Sequence, residues 1–195
     1  SDFMKHVIHG CINPRHLALT FDDGIGPYTG KLLDVLKSHR IRGNFFILGN
    51  TLSPEILYAE HHKYLLVRMI REGHLVGSHS FDHPDLTGLS TEELRRQMRK
   101  TDQAIQSVVG VRPRFVRPPY GYVNRRVVGV SKRDGYILIN WNKDTNDWRH
   151  QDNHRAILTF VKDSIPKASK SREGPIVLQH DTLKSSLLLA SKIIQ

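Results

Sequence analysis

Short apolar runs alternate along the chain with longer stretches of helical period. The runs at 17–21, 43–48, 74–78, 115–116, 136–141 and 176–178 read as strands, being brief, rich in branched or aromatic residues and bounded by glycine, proline or charge. A polar lead-in, residues 3–15, precedes the first of them. Residues 29–39 place Leu32, Leu33, Val35 and Leu36 on one helical stripe behind a capping Thr29. Residues 54–72 hold one or two helices, and Ser90-Thr91-Glu92-Glu93 is a capping box for a helix running to about Val109, where Gly110 stops it. Further helices are predicted near 125–133, 155–164 and 187–194. The paired prolines of Arg117-Pro118-Pro119-Tyr120-Gly121 forbid a helix and predict an extended turn. Regular strand-helix alternation without an internal repeat implies an α/β fold, a parallel sheet or barrel with helices outside.

Composition narrows the picture without changing it. A length of 195 residues suffices for one domain burying roughly 70% of the surface its unfolded form exposes. With 38% apolar and 25% charged residues and no low-complexity tract, the chain reads as globular. No uncharged apolar run is long enough to span a membrane. The amino-terminal Ser1-Asp2-Phe3-Met4-Lys5 lacks the apolar core of a secretory signal, and no Asn-X-Ser/Thr acceptor occurs. Cys11 is the only cysteine, which excludes an intrachain disulfide and leaves a buried or incidental thiol. A net charge of +10 raises the question of nucleic acid. The cations are scattered, however, and the densest group, Arg95, Arg96, Arg99 and Lys100, shares its helix with Glu92 and Glu93, the pattern of a solvated face. No nucleic-acid partner is therefore expected.

Five of the six strands run into Asp, His or Arg at their carboxyl ends, the edge where open α/β sheets and barrels carry their chemistry. The first delivers Asp22 and Asp23 followed by Gly24, and strand alternation predicts that the two carboxylates point different ways. The third ends at His79, with Asp82 and His83 close behind. Two histidines and a strand-end aspartate meet the need of a catalytic divalent site for three N/O ligands, suited to zinc and usable by cobalt. Such an ion polarises a carbonyl and lowers the pKa of its water. Hydrolysis then needs a base, for which Asp22 beside Asp23 is placed, and an acid, for which His180 at another strand end is the natural choice.

Five segments, in order, carry a resemblance to a known family: Thr20-Phe21-Asp22-Asp23-Gly24, His79-Ser80-Phe81-Asp82-His83, Arg117-Pro118-Pro119-Tyr120-Gly121, Asp144-Thr145-Asn146-Asp147-Trp148 and Leu178-Gln179-His180. In these the chain resembles the polysaccharide deacetylases that share the NodB homology domain, carbohydrate esterase family 4. The resemblance implies one domain over the whole chain, a distorted (β/α) barrel of about seven parallel strands surrounded by helices. It implies that Asp23, His79 and His83 bind one divalent ion, most simply zinc, and that Asp22 takes a proton from the attacking water. Arg117 would pair with Asp22, the backbone N–H of Tyr120 would stabilise the oxyanion, and His180 would protonate the departing amine with Asp147 orienting its ring. Trp148 and Leu178 would pack around that histidine, and Tyr120, Trp148 and Leu178 would meet the substrate.

Within the family the 141–148 run and the His83-Pro84-Asp85-Leu86 continuation look more like fungal-type chitin deacetylases than bacterial peptidoglycan or xylan enzymes. Deacetylation of N-acetylglucosamine units of chitin or its oligomers, by a monomer secreted or held in the cell wall, is what this implies. A catalytically silent wall-binding relative, or a deacetylase of another N- or O-acetylated polysaccharide, is the alternative. Tyr28, Tyr120, Tyr122 and Trp148 are candidates for stacking on sugar faces. The sequence departs from the family after the first segment, where Ile25-Gly26 precede Pro27 in place of an immediate proline. Among the remaining histidines, His61 and His62 are read as surface residues.

Overall fold

The computed structural model describes residues 2–150, 153–168 and 172–194. Eight strands among these residues form one sheet in which every pairing is parallel: β1 (Val7–Ile8), β2 (Ala18–Asp22), β3 (Asn44–Ile47), β4 (Leu75–Ser78), β5 (Phe115–Val116), β6 (Ile137–Ile139), β7 (Lys143–Asp144) and β8 (Ile176–His180). Their spatial order is β1-β6-β5-β4-β3-β2-β8-β7. The chain leaving β6, the neighbour of edge strand β1, passes through Asn140-Trp141-Asn142 straight into β7 at the opposite margin. The sheet is therefore curled into a half-barrel. A bridge between Cys11 and Gly174, with N–H···O distances of 2.9 and 2.8 Å, ties the same open side.

Among the described residues six α-helices cover the outside: α1 (Thr29–Ser38), α2 (Ala59–Arg71), α3 (Thr91–Val109), α4 (Arg125–Arg133), α5 (His154–Ala168) and α6 (Lys184–Ile194). Strand alternation explains how they are held. Leu19 and Phe21 of β2 point outward and join Leu32, Leu33 and Leu36 of α1, Leu65, Leu66 and Met69 of α2 and Ile105 of α3 in one core cluster, with Phe21 stacked on Phe45 at 5.1 Å. Each such side chain contributes roughly 1.5–3 kcal/mol by leaving water. A second cluster joins Val7, Leu138, Leu94, Met98, Val127 and Val130 beneath α3 and α4. The inner positions of β2, Thr20 and Asp22, face the opposite way, toward Arg117. Gly77 is required there, because a Cβ would lie 2.7 Å from the ring of Phe46, on which the Arg117 guanidinium rests at 4.3 Å.

Several expectations are refined. The lead-in is not merely polar loop: after a 3-10 turn, Asp2–His6, it supplies edge strand β1, whose two residues are too few to show a period. The run at 136–141 is a strand only over Ile137–Ile139, since Asn140 turns its N–H to Ile8 at 2.7 Å and its side-chain amide to the Gly121 carbonyl at 3.0 Å. Residues 54–72 hold a single α-helix, α2. Thr29 is the first helical residue rather than the cap, and its hydroxyl accepts from the Gly26 N–H at 2.9 Å while donating to Asp181 at 2.5 Å. Residues 119–121 form a 3-10 turn instead of remaining extended. The capping box of Ser90 and Glu93 and the left-handed Gly110 stop are as expected.

Candidate active site

The strand ends deliver their polar side chains to one cavity of about 450 Å³, lined by Asp22, Asp23, His79, His83, Tyr120, Tyr122, Trp141, Asp144, Trp148, Leu178, His180, Thr182 and Leu183. In the register of the sheet Asp22 stands beside His180 of β8, so the expected base and acid share one level. Asp23 lies just past the strand and takes a left-handed φ of 70°. That reversal corrects the expectation from alternation: instead of facing away, Asp23 lines the same cavity as Asp22.

Ligand atoms of Asp23, His79 and His83 all lie within 4.8 Å of one another. Oδ1 of Asp23 is 3.4 Å from Nε2 of His79 and 3.5 Å from Nε2 of His83, and it is buried without a hydrogen-bond partner. The Nδ1–H of His79 donates to the Arg117 carbonyl at 2.7 Å, which leaves Nε2 as the lone-pair nitrogen facing the cavity. Burial, and then the neighbouring His79, push His83 below its ordinary pKa, which also keeps a lone pair available. Burial opposes ionisation of Asp23, but its electrostatic attraction to the neighbouring imidazoles, His79 first and then His180 and His83, outweighs it and holds the carboxyl below its usual range. An orphaned buried oxygen between two imidazole nitrogens of fixed orientation fits a divalent ion that takes N and O ligands.

The loop that carries the histidines is held from behind. Ser80 and His83 are left-handed, at φ 70° and 61°, conformations that cost about 1–3 kcal/mol each and persist only under constraint. Gln97 of α3 supplies it: its Oε1 accepts from the N–H groups of Phe81 and Asp82 at 2.9 and 3.0 Å, and its Nε2 donates to Asp82 at 3.1 Å. Asp82 thus serves the loop and is not among the cavity-lining groups. Arg117 is fully buried; Nη1 donates to Asp22 at 2.8 Å and to Thr20 at 2.7 Å, and Nη2 to the Asn140 carbonyl at 3.0 Å. A buried guanidinium so satisfied pairs with Asp22 and fixes its orientation.

On the other side of the cavity, the ring of His180 meets Asp147 through Nδ1 at 2.7 Å, and its backbone N–H donates to the same carboxylate at 2.7 Å. The Ser186 hydroxyl and the Trp148 N–H also donate to Asp147. Burial works against a charged ring, but the hydrogen bond and charge of Asp147, aided by Asp22 and Asp23, raise His180 to about 9. It therefore carries a proton near neutrality.

Tyr120 is left-handed at φ 60° and half-exposed, with its ring edge-on to His83 at 4.7 Å and Tyr122 beyond at 5.6 Å. Tyr122, Trp148 and buried Leu178 line the cavity as expected; Tyr28 does not. His61 is exposed, whereas His62 is partly buried and bonds the Thr51 carbonyl at 2.8 Å, so it ties α2 down rather than being a plain surface residue. Trp141, Thr182, Leu183, Gln97 and Ser186 were not legible as site residues. Trp141 alone had a signal, its place at the end of the predicted 136–141 run, and its ring lies 5.6 Å from the Arg117 guanidinium and directly over Gly121.

The profile of the family described as Polysaccharide deacetylase matches residues 9–139. The chain is 31% identical over 194 residues to a peptidoglycan-N-acetylglucosamine deacetylase of Bacillus cereus, covering 97% of this chain and 66% of that protein. It is 39% identical over 173 residues to one of Listeria monocytogenes, covering 88% of this chain and 34% of that protein. A chitin deacetylase of Colletotrichum lindemuthianum is 34% identical over 186 residues, covering 94% of this chain and 74% of that protein. The solved structure of the chitin deacetylase from that fungus matches with a TM-score of 0.87 at 33% identity, over 96% of this chain and 83% of the other. The chain thus spans about two thirds of the Bacillus relative and about one third of the Listeria one. Likeness to bacterial and fungal enzymes is of similar strength, so the sequence-level leaning to the fungal type is not separated from the bacterial one. By the extent of the profile match, the fold and the five ordered segments, this chain belongs to the polysaccharide deacetylase family, the NodB homology domain of carbohydrate esterase family 4.

Proposed function

We propose that the chain hydrolyses the N-acetyl group of N-acetylglucosamine units in a cell-wall polysaccharide, with chitin and its oligomers as first substrate, giving a free amine and acetate. The observation that carries this is the convergence of Asp23, His79 and His83 with Asp22 and His180 in one aromatic-lined cavity. A divalent ion held by the first three, zinc or cobalt by the donor set, would supply carbonyl polarisation and a more acidic water. Asp22, paired with Arg117, accepts a proton from the attacking water. The backbone N–H of Tyr120 is assigned to the oxyanion as the amide carbon becomes tetrahedral. The C–N bond then breaks as His180, charged and oriented by Asp147, gives its proton to the leaving nitrogen. Trp148, Tyr120 and Leu178 offer the apolar surface on which a pyranose ring rests.

The 141–148 run supports chitin over peptidoglycan, and we propose that the protein acts as a monomer outside the cell or in its wall, where such polymers lie. Acetate release from N-acetylglucosamine oligomers and from peptidoglycan glycan strands tests both levels. Faster release from the oligomers is the expected result. Faster release from the glycan strands would overturn the chitin assignment, and release from neither, with the metal bound, would overturn the deacetylase reading in favour of a silent wall-binding protein.

A further inference from the structure

Among the described residues three carboxylates line the cavity, and two have evident partners. Asp22 is paired with Arg117 at 2.8 Å, and Asp23 faces His79 and His83. Asp144 is the third. One of its oxygens accepts from the Asn146 N–H at 2.8 Å, closing a local turn, and among the described residues no cation pairs with it. Lys143 precedes it on β7 and projects to the other face of that strand. In register Asp144 stands opposite Leu178, two residues before His180 on β8. Strand spacing therefore puts its Cα about 8 Å from that of the acid, the reach of a neighbouring sugar rather than of the reacting bond. The cavity wall around it is aromatic, formed by Trp141, Trp148 and Tyr122, which strengthens the demand of a carboxylate for a cation.

Resting on the proposed deacetylase reading, we propose that Asp144 binds the ammonium of a glucosamine next to the unit under attack, so that the chain prefers polymer already deacetylated at the adjoining sugar. Each turnover leaves an ammonium on the substrate chain, and one product thereby becomes the recognition group for the next. Deacetylation would then cluster along the polymer.

Asp144→Asn isolates the charge, because the amide oxygen still accepts from the Asn146 N–H. We would compare kcat/KM on fully acetylated tetrasaccharides of N-acetylglucosamine with the isomers carrying one glucosamine on either side of the reacting unit. Binding of the same set to the metal-loaded protein would be measured alongside. The parent is expected to favour one amine-bearing isomer by about two- to fivefold, the range open to a partly exposed ion pair, with the preference fading as salt rises. In Asp144→Asn the ratio should fall to about one. No preference in the parent, a preference kept by the variant, or an equal loss on both substrates, the mark of a hydroxyl contact, would each overturn the proposal. A parent that binds the oligomers but releases no acetate would refute the deacetylase reading, and the ratio of affinities would still decide the role of Asp144.

Discussion

Arg117 and His79 are joined through the backbone of one and the ring of the other: the His79 Nδ1–H donates to the Arg117 carbonyl at 2.7 Å. The same arginine holds Asp22 with its side chain at 2.8 Å. On the proposed roles, one residue orients a metal ligand with its main chain and the base with its guanidinium, and the two tasks can be separated by substitution. Arg117→Lys keeps the carbonyl and the charge but loses the planar fork, so kcat should fall at least about tenfold while metal affinity stays close to the parent's. Arg117→Ala leaves Asp22 buried without its partner and should cost about 3–5 kcal/mol of stability in denaturant titration. A loss of metal affinity in Arg117→Lys would contradict the division of labour.

Asp22 and Asp23 are neighbours with different partners, and their variants should part company. Asp22→Asn removes the proposed base and should lower kcat by about 10²–10⁴ while leaving metal occupancy intact. His83→Ala or Asp23→Ala should lose the ion as well, read by metal analysis after gel filtration.

The pH dependence follows from His180. Its pKa lies above the ordinary histidine value, at about 9, so the ring keeps its proton below that value and loses it as pH rises through it. As the proposed acid for the leaving nitrogen, it should set an alkaline limb in kcat. Asp147→Asn removes the principal support and should bring the limb down toward the unperturbed value near 6.5. Loading the Asp23 site with a cation opposes the pull of Asp22 and Asp23 and should move the parent limb below 9. A limb unmoved by Asp147→Asn would refute the assignment.

Asp181 offers a test on stability. Fully buried beside Gly24, where a Cβ would come within 2.2 Å of its oxygen, it is pushed up to about 7 by burial and then by Asp23 and Asp22. A carboxyl whose folded pKa exceeds its unfolded value favours folding at low pH, and that contribution is lost as pH rises through about 7. Asp181→Asn should therefore gain on the parent between pH 5 and pH 8 by more than about 1 kcal/mol, measured by chemical denaturation of the chelated protein.

What the sequence disclosed was set by how locally each feature is written. The groups of the cavity sit in short contiguous segments at the ends of apolar runs, and the buried stripes of α1 and α3 follow their period, so both were legible. Edge strand β1 was not, because two residues carry no alternation and its pairing with β6 is a long-range fact. Asp23 reached the cavity through a left-handed turn that strand alternation does not foresee. Gln97 and Ser186 act on loops distant in sequence, from ordinary positions on α3 and α6, and nothing in their own neighbourhoods marks them.

The most direct test of the account is a metal titration followed by acetate release. Protein stripped with chelator and then given zinc in steps should release acetate from N-acetylglucosamine oligomers in proportion to occupancy, saturating at one ion per chain, with release by Asp22→Asn lower by about 10²–10⁴ at the same occupancy. Release that persists without the ion, or its absence at full occupancy of the parent, would contradict the claim that Asp22, Asp23, His79, His83 and His180 form one hydrolytic centre.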